Sequence, residues 1–254
     1  MKKRFIAICL AGLFSFLTAT TASAGLTAEE ILDKIDAVIS APTDSTGTGT
    51  MILIDNKGKT KERQLRMWTR FHKDKDDWSL TKFITPAEVR NLGFLSLADD
   101  KMYLYLPAFD RIRRIASHAR KESFAGSDLS NDDLSTANYS DHYDGEIMEE
   151  TEKQYVLSLT RKPGSDRIYL KATAWVNKNN FCIDRMELFD DNNKLWKTLE
   201  AKNEQIQGYW TMTEIKMKDV QKDHQTIMKL GELKFDVNLE DNIFTQRYLK
   251  RSVK

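Results

Sequence analysis

The feature that most constrains the fold is a long series of strand-like segments, at residues 49–235, with no helical pattern between them. Turn sequences such as Lys162-Pro163-Gly164 separate the segments. Parallel α/β folds need a helix between consecutive strands, so this order predicts a large antiparallel sheet. The roughly dozen predicted strands lie at residues 50–54, 64–71, 78–84, 93–97, 101–106, 111–115, 139–148, 154–161, 168–176, 182–189, 195–205, 209–218 and 225–235.

Several of these segments carry large residues on both faces. Residues 169–176 alternate, with Leu170, Ala172 and Val176 on one side and Tyr169 and Trp175 on the other. Side chains of a strand point to opposite faces in turn, so both faces of such a strand need partners. The pattern therefore predicts a strongly curved sheet that is apolar inside and partly covered outside.

One amphipathic helix precedes the strands. Thr27 and Glu30 have the spacing of a capping box, in which each residue satisfies a backbone N–H of the other. Pro42 ends the pattern, because proline does not fit a helix interior. The helix is expected to cover the sheet with its apolar face, which consists of Ile31, Leu32, Ile35, Val38 and Ile39.

Residues 1–24 have the pattern of a secretory signal peptide. Lys2, Lys3 and Arg4 precede an apolar run at residues 5–17, and Ala22-Ser23-Ala24 is a small-residue cleavage site. The apolar run is shorter than the roughly 20 residues that span a bilayer. We therefore predict export to the periplasm with cleavage after Ala24, leaving residues 25–254 as a single domain.

The composition of that exported part excludes two classes of protein. Residues 1–24 contain three of the 39 basic residues and none of the 38 acidic ones, so 36 basic and 38 acidic residues remain, a net charge of −2. A chain without positive charge has no general electrostatic attraction for nucleic acid. Cys182 is the single cysteine after residue 24, which excludes an intramolecular disulfide in the exported part.

The segment at residues 83–134 is the most informative for function. In the run 102–107, Tyr103 and Tyr105 share one strand face, opposite Met102, Leu104 and Leu106. This pattern fits either a core strand or one wall of an apolar cavity. The neighbouring Arg111, Arg113 and Arg114, with Arg120 and Lys121, fit either a solvated face paired with Asp128, Asp132 and Asp133 or a cationic cavity rim.

No group of residues has the spacing of a catalytic or metal site. Ser127-Asp128 with His118 would be needed for a hydrolase, but the Gly-x-Ser-x-Gly pattern is missing from the sequence. Ser127 or Asp128 is instead expected to cap a short helix. The four histidines are not paired at i, i+4. We expect no enzyme activity, metal or cofactor.

The segment at residues 83–134 contains a series of short motifs: Phe83-x-x-Pro86, Gly93-Phe94-Leu95, Tyr105-Leu106-Pro107-Ala108, Arg113-Arg114-Ile115, and Phe124-x-Gly126-Ser127-Asp128 with Asp133-Leu134. Over these roughly 50 residues the chain resembles the outer-membrane lipoprotein-sorting proteins, periplasmic relatives of the lipoprotein carrier LolA. Two positions depart from the family pattern: Met102-Tyr103 stands where a tryptophan is usual, and Ala125 where methionine is frequent.

The resemblance implies a LolA-like half-barrel, which is an incomplete antiparallel barrel closed by the N-terminal helix and short helical loops. It also implies a non-enzymatic carrier that binds lipid or lipoprotein acyl chains for transport between membranes, with an inner-membrane transporter of the RND or MMPL type as partner. The alternative is a periplasmic adaptor of such a transporter without lipid cargo. Arg113 and Arg114 are predicted at the cavity rim, and the predicted ligand-binding residues are Trp68, Phe83, Phe94, Leu95, Tyr103 and Tyr105.

Overall fold

The computed structural model describes residues 25–73, 75–98, 101–135 and 138–253. The predicted signal peptide at residues 1–24 lies outside the described part of the chain. Among the described residues, no helix combines the length and the apolar composition needed to cross a membrane.

Helix α1 (Ala28–Ile39) confirms the predicted capping box. The Thr27 hydroxyl accepts a hydrogen bond from the Glu30 N–H at 3.2 Å, and the Glu30 carboxylate accepts from the Thr27 N–H at 2.8 Å. The helix ends at Ile39, three residues before buried Pro42. Its buried residues, among them Ile31 and Ile35, pack against the sheet as expected.

The sheet is antiparallel throughout, as the sequence predicted. Its strands are β1 (Asp44–Ile54), β2 (Thr60–Arg70), β3 (Trp78–Thr85), β4 (Gly93–Leu97), β5 (Lys101–Leu106), β6 (Arg111–Ile115), β7 (Tyr143–Glu150), β8 (Gln154–Arg161), β9 (Lys171–Asn177), β10 (Ile183–Phe189), β11 (Leu195–Ile206), β12 (Tyr209–Asp219) and β13 (His224–Phe235).

Several strand starts differ from the prediction: β2, for example, begins four residues early and β9 three residues late. Tertiary hydrogen bonds account for the starts of β1 and β7. β1 begins six residues earlier than predicted, at Asp44. The Asp44 carboxylate accepts a hydrogen bond from the Val237 N–H at 2.7 Å. β7 begins late, because Tyr139–His142 forms a short helix, α2. The Asp36 carboxylate of α1 accepts from the first two N–H groups of α2, both at 2.8 Å.

The strand order explains why the barrel is incomplete. It runs β6-β5-β4-β3-β2-β1-β13-β12-β11-β10-β9-β8-β7, so two meanders meet where β1 pairs with β13. The edge strands β6 and β7 do not pair with each other, and the sheet stays open between them.

The chain joins these two edges through the crossing segment, which we define as residues 116–135 and 138–142. It contains two 3₁₀ turns, Ser117–Ala119 and Asp132–Leu134, followed by α2. Phe124 stacks on Phe83 at 5.3 Å between ring centroids and meets Phe94 edge-on at 5.8 Å. The crossing segment and α1 therefore cover one side of the sheet, which we call the inner face.

A tight turn fixes the crossing segment to β13. Ala125 and Gly126 have positive φ angles of 52° and 76°, and the Asp128 carboxylate bonds both Thr226 and His224 at 2.7 Å. The expectation that Ser127 or Asp128 caps a helix is therefore wrong. The N-cap of the 3₁₀ turn Asp132–Leu134 is Asn131, which makes no side-chain capping hydrogen bond. The Ser130 hydroxyl, one residue earlier, accepts from the Asp133 N–H at 3.1 Å.

The opposite side of β2–β5, which we call the outer face, is covered by the C-terminal segment, residues 236–253. This segment contains a 3₁₀ turn, Asp241–Ile243, and helix α3 (Gln246–Leu249). Phe244 and Leu249 pack there against Trp68 and Leu80. Both faces of this part of the sheet are therefore buried, as the paired large residues predicted.

Candidate functional site

A cavity of about 360 Å³ lies on the inner face. Helix α1, the crossing segment and strands β8–β13 surround it. Most of its walls are apolar, and three methionines, Met186, Met212 and Met217, contribute flexible thioethers that adapt to irregular ligands. Other apolar wall residues include Ile35, Ile39, Leu159, Ala172, Ile183, Leu188, Leu199, Ile215 and Leu230.

Trp210, at the start of β12, lines the cavity and is 38% exposed, so the cavity lining reaches the protein surface there. Ile39, Met212 and Leu230 also line the cavity and are half-buried. An apolar cavity whose lining reaches the surface can admit a chain-like ligand.

The wall formed by the crossing segment is polar and charged. Asp132 and Asp133 of the crossing segment line the cavity together with Arg167, which precedes β9. Arg167 lies 3.4 Å from Asp132, donates to the Ser135 hydroxyl at 2.6 Å and lies 3.5 Å from Asp76. This group ties the crossing segment to the sheet.

Two further cations complete this buried cluster. Arg120 donates to the Asp132 carboxylate at 2.8 Å and also pairs with Asp166. Lys197 of β11 lies 3.0 Å from Asp133, whose carboxylate also accepts from the Tyr169 hydroxyl at 2.8 Å. The side chains of Arg120, Arg167 and Lys197 are each 2–3% exposed. Pairing is needed at such depth, since an isolated buried charge is costly.

The pKa values follow from burial and from these pairs. Burial raises the pKa of the Asp132 carboxyl, against the opposing effect of Arg167 and Arg120. Burial, followed by the Asp133 charge, raises the pKa of Tyr169 well above its usual range. Tyr169 is therefore a neutral hydrogen-bond donor to Asp133 at physiological pH.

The six predicted ligand-binding residues lie on two sides of the sheet. Phe83 and Phe94 are fully buried on the inner face. Trp68, Leu95 and Tyr105 are buried on the outer face under the C-terminal segment, and Tyr103 packs beside them. Phe94 and Leu95 are consecutive in β4 and therefore point to opposite faces.

No single cavity can contain all six, and none of them lines the cavity that the described residues form. Contact of any of the six with a ligand stays a prediction. The residues that line the cavity come mainly from β8–β13. In these strands the sequence shows alternation but no pattern that predicts ligand binding.

The predicted rim cations lie on the edge strand β6. Arg113 and Arg114 are exposed, and Arg113 pairs with Glu122 of the crossing segment at 2.8 Å. Neither residue lines the described cavity. Arg120, from the same basic stretch, pairs with Asp132 as one interpretation expected, but the pair is buried and does not lie on a solvated face.

The serine considered for hydrolysis is engaged in the turn of the crossing segment. The Ser127 hydroxyl donates to the Phe124 carbonyl at 2.7 Å and to the Leu129 carbonyl at 3.3 Å. The neighbouring Asp128 contacts His224, whereas His118 is exposed. Among the described residues, no group of His, Cys, Asp and Glu could hold a metal ion.

Several residues of the cavity were missed by sequence reasoning. Arg167 and Met186 lie in or near strands whose charge and alternation look ordinary. Asp132 and Asp133 were noticed only as partners for a basic stretch. Their position at the end of the family motif, at Asp133-Leu134, is a sequence feature that could have identified them as functional residues.

Comparisons with known proteins support the fold. A protein-family model described as "Uncharacterized protein" matches residues 75–251. No curated protein matches the chain. A crystal structure of a DUF1329 family protein from Desulfovibrio piger is 30% identical, with a TM-score of 0.81 over 87% of this chain and 97% of that one.

Two further crystal structures carry descriptive names. An outer membrane lipoprotein-sorting protein domain from Vibrio parahaemolyticus is 27% identical, with a TM-score of 0.81 over 88% of this chain and 98% of that one. A LolA superfamily protein from Nitrosomonas europaea is 21% identical, with a TM-score of 0.73 over 88% of this chain and 100% of that one. At 21% identity, the similarity to the Nitrosomonas europaea protein is a similarity of fold.

Proposed function

We propose that this chain, which belongs to the DUF1329 family and has a LolA-like fold, is a periplasmic carrier of acyl chains. In this proposal the cavity on the inner face encloses one or more acyl chains of a lipid or a lipoprotein. The role is binding and transfer without catalysis. The mature protein begins after Ala24 and works between the two membranes.

The observation that carries the proposal is the apolar cavity whose lining reaches the surface. Its volume of about 360 Å³ falls within the range of small-molecule sites, roughly 300–1,000 Å³. Each methylene group buried there contributes about 0.8 kcal/mol, so ten contribute on the order of 8 kcal/mol. Apolar burial alone is therefore enough to hold an acyl chain.

We further propose that an inner-membrane transporter of the RND or MMPL type exchanges cargo with this carrier. Support for that partner comes from the family resemblance. The exposed Trp210 of the cavity lining is a suitable contact for a membrane or a transporter, because tryptophan is favoured at membrane–water boundaries and at protein interfaces.

The proposal is tested by native mass spectrometry of the protein purified from periplasm, followed by solvent extraction of bound molecules. Leu199→Trp places a larger side chain in the cavity wall and should reduce acyl-chain occupancy several-fold. Met148→Trp on β7, where Met148 is 65% exposed, adds the same side chain away from the cavity and is the control.

A co-purifying lipid or acylated peptide that is present in wild type and Met148→Trp, and lost in Leu199→Trp, supports the carrier. A protein that is empty when isolated and also fails to take up added acyl lipids contradicts it. An adaptor role without cargo would then be the better explanation.

A further inference from the structure

The open sheet ends in two edge strands whose outward backbone groups have no partner. Among the described residues, β6 pairs only with β5, and β7 pairs only with β8. Outside these two ladders, the backbone of residues 111–115 and 144–150 makes no hydrogen bond to any described residue. Such an edge can pair with a strand of another chain, because its free N–H and C=O groups continue the ladder.

The two edges carry charges of opposite sign. The charged residues of β6 are all exposed arginines, Arg111, Arg113 and Arg114. The charged residues of β7 are all exposed acids, Asp144, Glu146, Glu149 and Glu150. Charges on an edge strand oppose pairing with an edge of the same sign, because like charges on facing strands are destabilising. An edge of the opposite sign is favoured instead.

Most of these charges are not used inside the chain. Arg113 pairs with Glu122 at 2.8 Å, and Asp144 and Glu150 lie 4.0 and 2.6 Å from nearby lysines. The other four take part in no ion pair with a described residue: Arg111, Arg114, Glu146 and Glu149.

Apolar side chains also lie exposed at both edges. Phe109, in the turn that leads into β6, is 71% exposed. Ile147 and Met148 of β7 are 36% and 65% exposed. A strand added to either edge would remove part of this apolar surface from water, which is favourable. Charge and apolar surface therefore favour the same contact.

The regular parts of the two edges have the same length. β6 has five residues, and β7 keeps its register with β8 over the five residues 143–147. A bulge then shifts the register between Ile147 and Glu149. A bulge bends an edge strand and interrupts regular pairing, so β6 matches the part of β7 that can pair.

We propose that β6 of one copy of this chain pairs with β7 of a second copy, so that the sheet continues from one molecule into the next. A second copy is the partner that supplies both complementary edges. Within one chain the crossing segment joins β6 to β7, and the two strands do not pair. The contact is heterologous, so each dimer keeps one free edge of each sign. The inference does not depend on the carrier proposal.

Two sets of substitutions test the contact by reversing the charge of one edge. The β6 reversal leaves both edges acidic and consists of Arg111→Glu, Arg113→Glu and Arg114→Glu. The β7 reversal leaves both edges basic and consists of Asp144→Lys, Glu146→Lys and Glu149→Lys. All six side chains are exposed, so neither set removes a buried contact.

Sedimentation equilibrium of the protein purified from periplasm measures the association. The average mass of wild type should rise above the monomer mass with concentration, and the rise should shrink several-fold between about 20 mM and about 500 mM NaCl, because salt screens exposed charges. Each reversal alone should stay monomeric. A mixture of the two, or one chain that carries both, should regain the wild-type association, because opposite charges face each other again.

A matched control reverses three exposed lysines on strands that are paired on both sides. It consists of Lys61→Glu on β2, Lys171→Glu on β9 and Lys234→Glu on β13, and it should associate like wild type. Hydrogen exchange of wild type gives a second measurement without substitutions. Raising the protein concentration should slow the exchange of backbone amides in β6 and β7.

Three results would overturn the proposal. Wild type could stay monomeric at millimolar concentration, the mixture of reversals could fail to restore association, or slowed exchange could be confined to other strands. A monomeric wild type whose β6 reversal loses binding to phosphatidylglycerol vesicles would instead identify the basic edge as a membrane contact. None of these results bears on acyl-chain occupancy, so the carrier proposal is tested separately.

Discussion

Asp77 provides a sharp test of how burial controls stability in this protein. It lies immediately before β3 and is 5% exposed, and its carboxylate accepts a hydrogen bond from the His72 N–H at 2.7 Å. Burial, together with the nearby Asp76 and Asp36, raises its pKa from 3.8 to about 7. The residue therefore titrates near neutral pH in the folded protein.

The sign of the effect follows from proton binding. Between about pH 4 and pH 7 the folded carboxyl holds a proton that the unfolded chain has released, so the free energy of unfolding falls as pH rises through this window. The difference between the two pKa values corresponds to about 4 kcal/mol as an upper value. Asp77→Asn keeps an acceptor for the His72 N–H and removes the titration.

We therefore expect Asp77→Asn to raise the free energy of unfolding by about 2–4 kcal/mol at pH 8, and to change it little near pH 4. Urea denaturation of wild type and variant at intervals from pH 4 to 8.5 measures the difference directly. Subtracting the two curves removes the contribution of all other titrating groups.

The neighbouring carboxylate is a matched control with the opposite sign. The neighbouring His142 side chain, together with the Arg167 charge, lowers the pKa of Asp76. Asp76→Asn should therefore lower the free energy of unfolding at neutral pH, and the loss should shrink as the solution becomes acidic. A flat difference curve for Asp77→Asn between pH 5 and 8, or destabilisation by it at pH 8, would refute the reasoning.

Three further substitutions test the covers of the sheet. Phe124→Ala removes the ring stacked on Phe83 and should cost about 3–5 kcal/mol of unfolding free energy in urea titrations. Phe244→Ala, opposite Trp78 under the C-terminal segment, should cost a similar amount and increase proteolytic cleavage of that segment. Thr27→Ala should cost about 1 kcal/mol through loss of the cap, and a thermal midpoint equal to wild type would contradict it.

Local patterns predicted the capped helix α1 and each strand of the sheet, whereas helices α2 and α3 were not predicted. The capping box at Thr27 and the turn at residues 190–193 each depend on contacts within a few residues, so they can be recognised without the fold. Where the predicted starts of β1 and β7 were wrong, a distant group was responsible. Asp36 is more than 100 residues from the backbone of α2 that it caps.

The cavity residues could be predicted less well than the strands. Alternation along a strand assigns its side chains to two opposite faces, but it does not show which face lies on the inner side of the sheet. Tyr105 and Leu104 are equally plausible wall residues from sequence, yet Tyr105 lies under the C-terminal segment and Leu104 packs on the inner core. The C-terminal segment determines which strand face is the outer one, because it covers that face. Its sequence has no strong pattern from which this packing could be predicted.

The sequence by itself determined the elements of this protein: a capped helix followed by antiparallel strands, and a family motif in the segment that joins the two edges. Those features depend on backbone sterics, on the two-residue period and on short-range hydrogen bonds. Only the tertiary structure decided where the cavity lies and which charges it buries. Arg167 meets Asp132 and Lys197 meets Asp133 across separations of 35 and 64 residues, because the crossing segment returns over the sheet.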